Sequence, residues 1–581
     1  MKRSPDQSEN YAASRSPIYR ALWEPGAADL PELFASASNE ATAAVKEVMT
    51  QSLQVLLSHR AAGTLRGPDN KHSEQVLKAL GEAGYWGLLV DREYGGSGCG
   101  LRHFLPFLTQ AAVIDAPLAG LAAVHGCIGA VDPLQTFGTE EQKKKYLPAL
   151  ARGERLSAFA STEPGAGSDL KAVRTTAIRT NEGLRISGQK AFITNLAPGR
   201  TIGLLCKLDE QLAVVVTKLP DAENEHFQLV PNALHPLQHT FNQGLLLRDL
   251  PVTEDSLLQP PPGKDGRAIV FHGLNRGRAA ICASAAGHLR VLLAGMIAWA
   301  KQRRVQGKPL AELELIQARC ARVAALMAGC EALAKWCGTL LDAGYRGEIE
   351  CSIAKIFASE AVKHAAFDLA LPTHGGRFFL QGHAAGDMAY DYLAPCIYEG
   401  ENDLLRLAVI QALLKSAVEP PASNHRDEWQ TVREKLGQSG LLTGEKLLLS
   451  RRVELLTVDA VMENDGCIAH SSAPHPSPLP GVPGRGSNVC DQAPDGTSSE
   501  RKLAGDLLRL RLRNQLRGEA ASREELLAEI QLGRRLLDEE LLWLGEVQGF
   551  EDPLSLNASA RDFSQFSPSP RPARRSTGQR E

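Results

Sequence analysis

One glutamate stands in an apolar, turn-prone stretch between two segments of helical character. Residues 395–403 read PCIYEGEND, with Glu399 directly before Gly400. A carboxylate held out of water binds its proton more tightly, so the pKa of Glu399 should rise toward the range that a general base needs. A lone glutamate beside a glycine is more commonly a solvated turn. This stretch therefore predicts a base only if other residues supply the rest of a site.

Residues 162–169, which read TEPGAGSD, could meet an anion. Pro164 and the two glycines expose backbone N–H groups with no side chain in the way, and Thr162 and Ser168 add hydroxyl donors. A tight loop that joins a helix to a sheet is the alternative. Residues 188–195 read GQKAFITN, and there Phe192 and Thr194 would lie on one face of a strand because strand side chains alternate. Taken alone, Phe192 would be a core residue.

A further segment, residues 302–309, reads QRRVQGKP, and Gln317 follows ten residues after Gly307. In this order and spacing, the four motifs resemble the acyl-CoA dehydrogenase family, from about residue 75 to about residue 416. The resemblance implies FAD as cofactor and an acyl-CoA thioester as substrate. It assigns removal of the α-proton to Glu399, while the β-hydrogen leaves as hydride to flavin N5.

The resemblance also implies roles for other residues. Arg278 matches a family arginine beside the catalytic carboxylate, where it would orient Glu399 and temper its pKa. An arginine that pins a loop before a helix is the equal alternative on sequence alone. Arg303 falls where the family reaches FAD across a subunit boundary. The cofactor-binding residues implied are Phe159, Thr162, Ser168, Phe192, Thr194, Arg303, Gln317, Gly375, Gly376 and Glu401.

Four positions near the implied cofactor depart from the family pattern: Gln306, Pro372, Tyr390 and Glu401. Glu401 is the most consequential, because a carboxylate close to the FAD pyrophosphate would repel it or compete with Glu399. Two other functions therefore stay open. The chain could be a scaffold or assembly factor of the same fold with weakened catalysis. It could also be an acyl-CoA oxidase, in which dioxygen reoxidises the flavin.

Composition excludes several classes of protein. The 64 basic and 67 acidic residues give a net charge of -3, which offers no general attraction to nucleic acid or anionic membranes. Eleven cysteines without paired or metal-ligand spacing predict reduced thiols and no metal site. No apolar run is expected to reach transmembrane length. We expect a cytoplasmic protein, since Asp6 and Glu9 disfavour a mitochondrial presequence; Arg15 and Arg20 leave the matrix open.

These residues must be positioned by an α+β fold of the acyl-CoA dehydrogenase type, with helices, then a sheet, then helices. The Gly-rich residues 94–100 do not spell a dinucleotide fingerprint, so a turn between helices is favoured there. The expected parts are a poorly ordered leader (1–40), an N-terminal α domain (41–155), a middle antiparallel β domain (156–263), a C-terminal α domain (264–418), extension helices (419–470), a disordered linker (471–500), further extension helices (501–548) and a disordered tail (549–581).

The spacing to Gln317, the segment 351–357 (CSIAKIF) and the C-terminal extension resemble the very-long-chain branch of the family most closely. That branch implies a homodimer with a shared FAD site, and an electron-transfer flavoprotein is the acceptor to expect. Leucines interleaved with arginines over 507–516 would suit a membrane surface such as the inner membrane. Packing of that helix on the catalytic core is the equal alternative.

Overall fold

The structure is a computed structural model that describes residues 16–23, 40–414, 428–438, 440–468, 496–517 and 521–538. The expected linker over 471–495, the expected tail and most of the expected leader lie outside these residues. The principal helices are α1 Pro17–Trp23, α2 Ala43–Ala61, α3 Glu74–Glu82, α4 Leu101–Ala123, α5 Val131–Phe137, α6 Glu140–Ala151, α7 Arg267–Gln302, α8 Glu314–Asp342, α9 Glu348–His364, α10 Asn402–Leu414, α11 Glu428–Leu436, α12 Thr443–Ile468, α13 Gly496–Arg517 and α14 Arg523–Asp538.

Two π-helical turns, Val124–Ile128 and Ala365–Ala370, continue α4 and α9. Three short helices, Leu371–His374, Ala384–Asp387 and Ala389–Leu393, lead from the second turn toward α10. The Gly-rich residues 94–100 form a turn that ends at the start of α4, as predicted. Helix α4 is kinked near Pro117, because proline lacks the amide donor and its ring clashes with the preceding turn; Asp115, two residues before it, has φ −152° and ψ 99°.

The middle domain is a seven-stranded sheet in the order β1-β4-β2-β3-β7-β6, with β5 paired to β4. Its strands are β1 Ser157–Ala160, β2 Thr176–Thr180, β3 Gly183–Thr194, β4 Thr201–Leu208, β5 Gln211–Lys218, β6 Phe227–Pro231 and β7 Asn242–Val252. The expected antiparallel pairing holds for β2–β3, β3–β7, β4–β5 and β6–β7, but it is wrong for β4, which runs parallel to β1 and β2. Strand β1 follows a helix instead of a hairpin turn, so nothing local forces it to run antiparallel to its neighbour.

The C-terminal domain is a helical bundle in which α7 packs against α4, α8 and α9. Its core is rich in small and apolar side chains, and Trp336 at its centre is fully buried. A two-stranded hairpin, β8 Arg304–Val305 and β9 Lys308–Pro309, follows α7. Gln306 and Gly307 form its two-residue turn with φ of 51° and 83°, which is the geometry that hairpin turns favour.

The extension packs on this bundle through α12, α13 and α14. Glu529 of α14 is fully buried and pairs with Arg322 of α8 and Arg511 of α13. Leucines 507, 508, 512 and 516 of α13 are buried, and Arg509 pairs with Asp459 of α12. Both the apolar and the charged side chains of α13 are therefore used within the fold, which agrees with the packed alternative.

Part of the predicted leader is an ordered helix. In α1, Ile18, Leu22 and Trp23 are buried, and Trp23 Nε1 donates to the carbonyl of Leu413 at 3.1 Å. The i, i+4 spacing of Ile18 and Leu22 gives α1 one apolar face, which explains why it docks. Helix α13 also begins at Gly496, inside the range expected to be disordered.

Among the residues that the structure describes, three segments are long and apolar enough to cross a membrane by length and composition alone: Leu101–Phe137, Arg267–Gln302 and Glu314–Asp342. The sequence expectation that no run reaches this length is therefore wrong. Their most apolar windows are 56%, 67% and 83% buried inside the fold, so packing uses much of this apolar surface.

Candidate active site

Glu399 lies in the turn before α10 with an unusual backbone. Its φ is 56°, and Gly400 follows with φ 107°. A left-handed conformation at a residue with a side chain costs on the order of 1–3 kcal/mol and persists only when the surroundings enforce it. The turn therefore stores strain, and it directs the Glu399 carboxylate against Gly277 of α7, where an added Cβ would lie 2.4 Å from Oε2.

The carboxylate of Glu399 has the environment of a base. Its Oε2 is buried and has no hydrogen-bond partner, although the residue as a whole is partly exposed. Burial raises the pKa of Glu399 to about 7, and the charges of Arg278 and Lys355 reduce that rise. A carboxylate with this pKa is half ionised near neutral pH, which suits proton abstraction.

Two buried cations hold the turn through its backbone. Arg278 Nε of α7 donates to the carbonyl of Glu399 at 3.1 Å, and its Nη1 donates to Asn275 and Ser352. Lys355 Nζ of α9 donates to the carbonyl of Gly400 and, at 2.8 Å, to Asn402 Oδ1. The structure thus brings Arg278 and Glu399 together, as predicted. The guanidinium donates to the backbone carbonyl of Glu399 and not to its carboxylate.

Residues 162–169 form an open loop beside strand β3. The amide of Ala191 donates to the carbonyl of Thr162 at 2.9 Å, which joins the loop to the strand. No heavy atom lies within 4 Å of where a Cβ would stand at Gly165 or Gly167. The loop therefore leaves room for a bound group at both glycines, as a cofactor cradle requires.

A buried ion pair supports this loop. Lys190 is fully buried, and its Nζ donates to Glu163 Oε1 at 2.9 Å and to the carbonyl of Ser161 at 3.0 Å. Glu163 also accepts from the amides of Arg174 and Thr175. Burial opposes ionisation of Glu163, but these bonds outweigh it and its pKa is lowered overall.

The other middle-domain residues lie on the strands beside the loop. Phe192 occupies a bulge of β3 with φ 58°, and the residue is 58% exposed. Thr194 Oγ1 accepts a hydrogen bond from Asn242 Nδ2 at 2.9 Å. Ile193, which lies between Phe192 and Thr194 on the strand, is buried. Phe159 is half-buried on β1 with Gly203 opposite it, and Ser168 is exposed. A strained, exposed aromatic ring beside an open loop fits a cover for a planar cofactor.

The remaining cofactor residues lie on the C-terminal domain. Arg303 is exposed at the end of α7, and Gly375 and Gly376 are exposed, with no heavy atom within 4 Å of either added Cβ. Gln317 on α8 is instead 5% exposed. Its Nε2 donates to the carbonyl of Ala311, and Arg534 of α14 donates to its Oε1 at 3.2 Å. Both ends of that amide are thus engaged within the chain.

Two departures from the family pattern have structural uses. The carboxylate of Glu401 accepts from the amides of Asp403 at 3.1 Å and Leu404 at 2.9 Å, so it caps the N-terminus of α10. Tyr390 stacks on His235 of the middle domain with 4.5 Å between ring centroids. Its neighbour Asp391 accepts from the amide of Leu237 at 2.9 Å, so this segment joins the two domains.

Sequence reasoning missed Lys355, Lys190 and Gly277. Lys355 did carry a signal, since it interrupts an otherwise apolar run of α9 that leaves no polar face for it. Lys190 carried a weaker signal, because a lysine on a strand can equally well be exposed to solvent. Gly277 carried none, since its neighbour Glu399 is 122 residues away in the chain.

Family profiles match three parts of the chain: "Acyl-CoA dehydrogenase, N-terminal domain" at residues 42–154, "middle domain" at 158–232 and "C-terminal domain" at 264–414. An acyl-CoA dehydrogenase of Bacillus subtilis is 32% identical over 342 residues, which cover 58% of this chain and 89% of the relative. The chain belongs to the acyl-CoA dehydrogenase family. The helical, sheet and helical domains described above are those of this family.

One further relative and one solved structure are also similar to this chain. The very long-chain specific acyl-CoA dehydrogenase of Rattus norvegicus is 27% identical over 396 residues, covering 66% of this chain and 59% of that protein. The crystal structure of an acyl-CoA dehydrogenase complexed with FAD from Bacillus anthracis is 20% identical, has a TM-score of 0.66 and covers 92% of this chain and 98% of its own. At that identity it shows the shared fold.

This acyl-CoA dehydrogenase family member is an FAD-dependent oxidoreductase. Its own residues fit the cofactor, because the loop at 162–169 is open at two glycines and Phe192 is held exposed beside it. The described residues include no group of three or more histidine, cysteine or acidic side chains placed to hold a metal ion.

Proposed function

We propose that this protein introduces a double bond between Cα and Cβ of long-chain acyl-CoA thioesters, with Glu399 as the base. The observation that carries this proposal is the Glu399 carboxylate, which is buried, has an unpartnered oxygen and has a pKa raised to about 7. A base in this state binds a substrate proton without first losing a hydrogen bond to the protein. The cofactor residues other than Gln317 and Glu401 keep the roles that the family resemblance implies.

In this mechanism, Glu399 takes the α-proton onto its carboxylate, and the electron pair of that C–H bond forms the double bond as the β-hydrogen leaves. Bound FAD supplies the acceptor for the β-hydride. Arg278 and Lys355 hold the carbonyls at the turn, so the carboxylate stays against Gly277. Such positioning matters because a misplacement of about 1 Å can cost about 100-fold in rate.

The preference for long acyl chains rests on two supports. The chain resembles the very long-chain enzyme of Rattus norvegicus, and its extension helices pack on the same bundle as the catalytic turn. We also infer a homodimer and an electron-transfer flavoprotein as electron acceptor, in fatty acid β-oxidation. The exposed side chains of Phe379, Leu393 and Ile397 offer apolar surface for a second subunit. A cytoplasmic location stays a prediction.

Anaerobic titration with palmitoyl-CoA, followed by the visible flavin spectrum, tests the proposal. We expect bleaching and formation of the enoyl-CoA. Glu399→Gln should keep its FAD and its thermal stability at neutral pH but fail to bleach. Glu348→Gln, which removes a surface carboxylate paired with Arg346, is the matched control and should bleach like the wild type.

Other outcomes separate the alternatives. Bleaching by the Glu399→Gln variant at the wild-type rate would refute the assignment of the base. A purified protein that stays colourless after reconstitution would favour a scaffold. Release of peroxide on adding substrate in air would favour an oxidase. Bleaching by shorter or branched acyl-CoA alone would keep the reaction and correct the substrate.

A further inference from the structure

Lys355 is a fully buried lysine in the middle of α9, among Ile353, Ile356 and Ala358, which are themselves buried. Burying an ammonium group is costly unless it is paired and hydrogen-bonded. Lys355 meets this requirement with two acceptors that lie 45 and 47 residues further along the chain, the carbonyl of Gly400 and Asn402 Oδ1. The first acceptor belongs to the turn that carries Glu399, and the second is the first residue of α10, which follows this turn.

The turn needs such support from outside itself. Glu399 and Gly400 have consecutive positive φ values of 56° and 107°, and no element of regular structure holds residues 397–401. Arg278 holds the first carbonyl from α7, and Lys355 holds the second from α9. Asn402 fixes the lysine in turn, because its amide group also exchanges bonds with Ser359 and donates to Glu360.

We infer that Lys355 is a positioning residue for the base, which fixes the Glu399–Gly400 turn through the carbonyl of Gly400 and supplies a buried positive charge beside the carboxylate. This inference rests on the proposed function of Glu399. Lys355 touches neither substrate nor cofactor in this role. It acts through the backbone conformation of the turn and through its charge.

Several charged or titratable groups bear on Lys355, and the test must account for them. Glu399, Cys396 and Glu401 favour its charged form, whereas burial and Arg278 disfavour it, and its pKa falls to about 8. The ammonium is therefore charged below about pH 8. In that range its charge lowers the pKa of Glu399.

Lys355→Met removes the charge and both bonds at nearly unchanged volume. We expect kcat to fall about 100-fold, and the acid limb of the kcat/KM profile to move up by roughly one pH unit, as a lost opposite charge nearby would cause. Lys355→Arg keeps the charge but misplaces its donors, so kcat should fall while the acid limb stays in place. Glu529→Gln, which neutralises a fully buried charge in the extension, is the control and should change neither.

A second readout works without turnover. Difference infrared titration follows the carboxyl band that Glu399→Gln removes, and this band should titrate at higher pH in Lys355→Met. Should the wild type fail to dehydrogenate any acyl-CoA, the proposed function falls while this titration still tests Lys355. If Lys355→Met does not fold, Asn402→Ala decides, with a lower kcat at an unchanged acid limb expected. Wild-type kcat with an unmoved Glu399 titration in Lys355→Met, or wild-type kcat in Asn402→Ala, would overturn the inference.

Discussion

Gly277→Ala tests the geometry of the site with a single methyl group. Gly277 lies inside α7, and a Cβ there would stand 2.4 Å from Oε2, 2.7 Å from Oε1 and 2.8 Å from Cδ of Glu399. Atoms do not approach this closely without bonding, so the carboxylate must move by about 1 Å to reach ordinary contact. The three nearest heavy atoms all belong to the Glu399 carboxylate, so the displacement falls on Glu399.

The two effects of this substitution have opposite signs. Alanine in a helix interior is favoured over glycine by about 1 kcal/mol, so α7 itself should be stabilised. The moved carboxylate should lower kcat about 100-fold, since a misplacement of about 1 Å has that cost. The expected variant therefore folds, binds FAD and has lost nearly all activity. General destabilisation would instead reduce all three together.

The control is Gly295→Ala on the same helix, where the added Cβ would meet its nearest neighbour, His374, at an ordinary 3.7 Å. Thermal unfolding, FAD absorbance and kcat with palmitoyl-CoA are measured on both variants. Gly295→Ala should gain about 1 kcal/mol and keep its kcat. Wild-type kcat in Gly277→Ala would show that the carboxylate does not work from this position, and the proposed base geometry would be wrong.

Three further predictions follow from the same contacts. Lys190→Met leaves Glu163 charged and buried without its cation, so the free energy of unfolding should fall by about 3–5 kcal/mol and FAD should be lost on dilution; an unchanged melting temperature would contradict this. Phe192→Gly relieves a positive φ, so the apoprotein should gain roughly 1 kcal/mol while FAD affinity drops; tighter FAD binding would refute the covering role. Because burial raises the pKa of Glu399 from 4.5 to about 7, the folded protein holds a proton there that the unfolded chain releases, and stability should fall as pH rises through that window. Calorimetry at several pH values should find this slope missing in Glu399→Gln; an identical slope would place the buried proton elsewhere.

The sequence predicted the fold well, and it did so through spacing. The motifs around Thr162, Phe192, Gln317 and Glu399 occur in a fixed order, which specified helical, sheet and helical domains before any contact was known. It did not predict the parallel pairing of β1 with β4. That pairing depends on how β1 leaves the preceding helix, and strand composition does not encode the direction of a neighbour.

The site was predicted less completely, because its supports are long-range. Glu401 caps the N-terminus of α10, and its position just before the helix is typical of a capping residue. The family resemblance instead placed Glu401 beside the cofactor. Gln317 shows the opposite case. Its spacing from Gly307 matches the family motif, but Arg534 of the extension contacts its side chain from 217 residues away. No local pattern could have predicted that contact.

The placement of the two buried cations explains how the site keeps a basic carboxylate. Had Arg278 or Lys355 paired directly with the carboxylate of Glu399, the pKa of that group would have fallen by roughly one to three units, as in an ordinary buried ion pair. Their donors instead reach the carbonyls of Glu399 and Gly400, while Oε2 is left without a partner. The charges thus fix the turn and only partly offset the effect of burial. The same two side chains therefore hold the turn in position while the pKa of Glu399 stays raised.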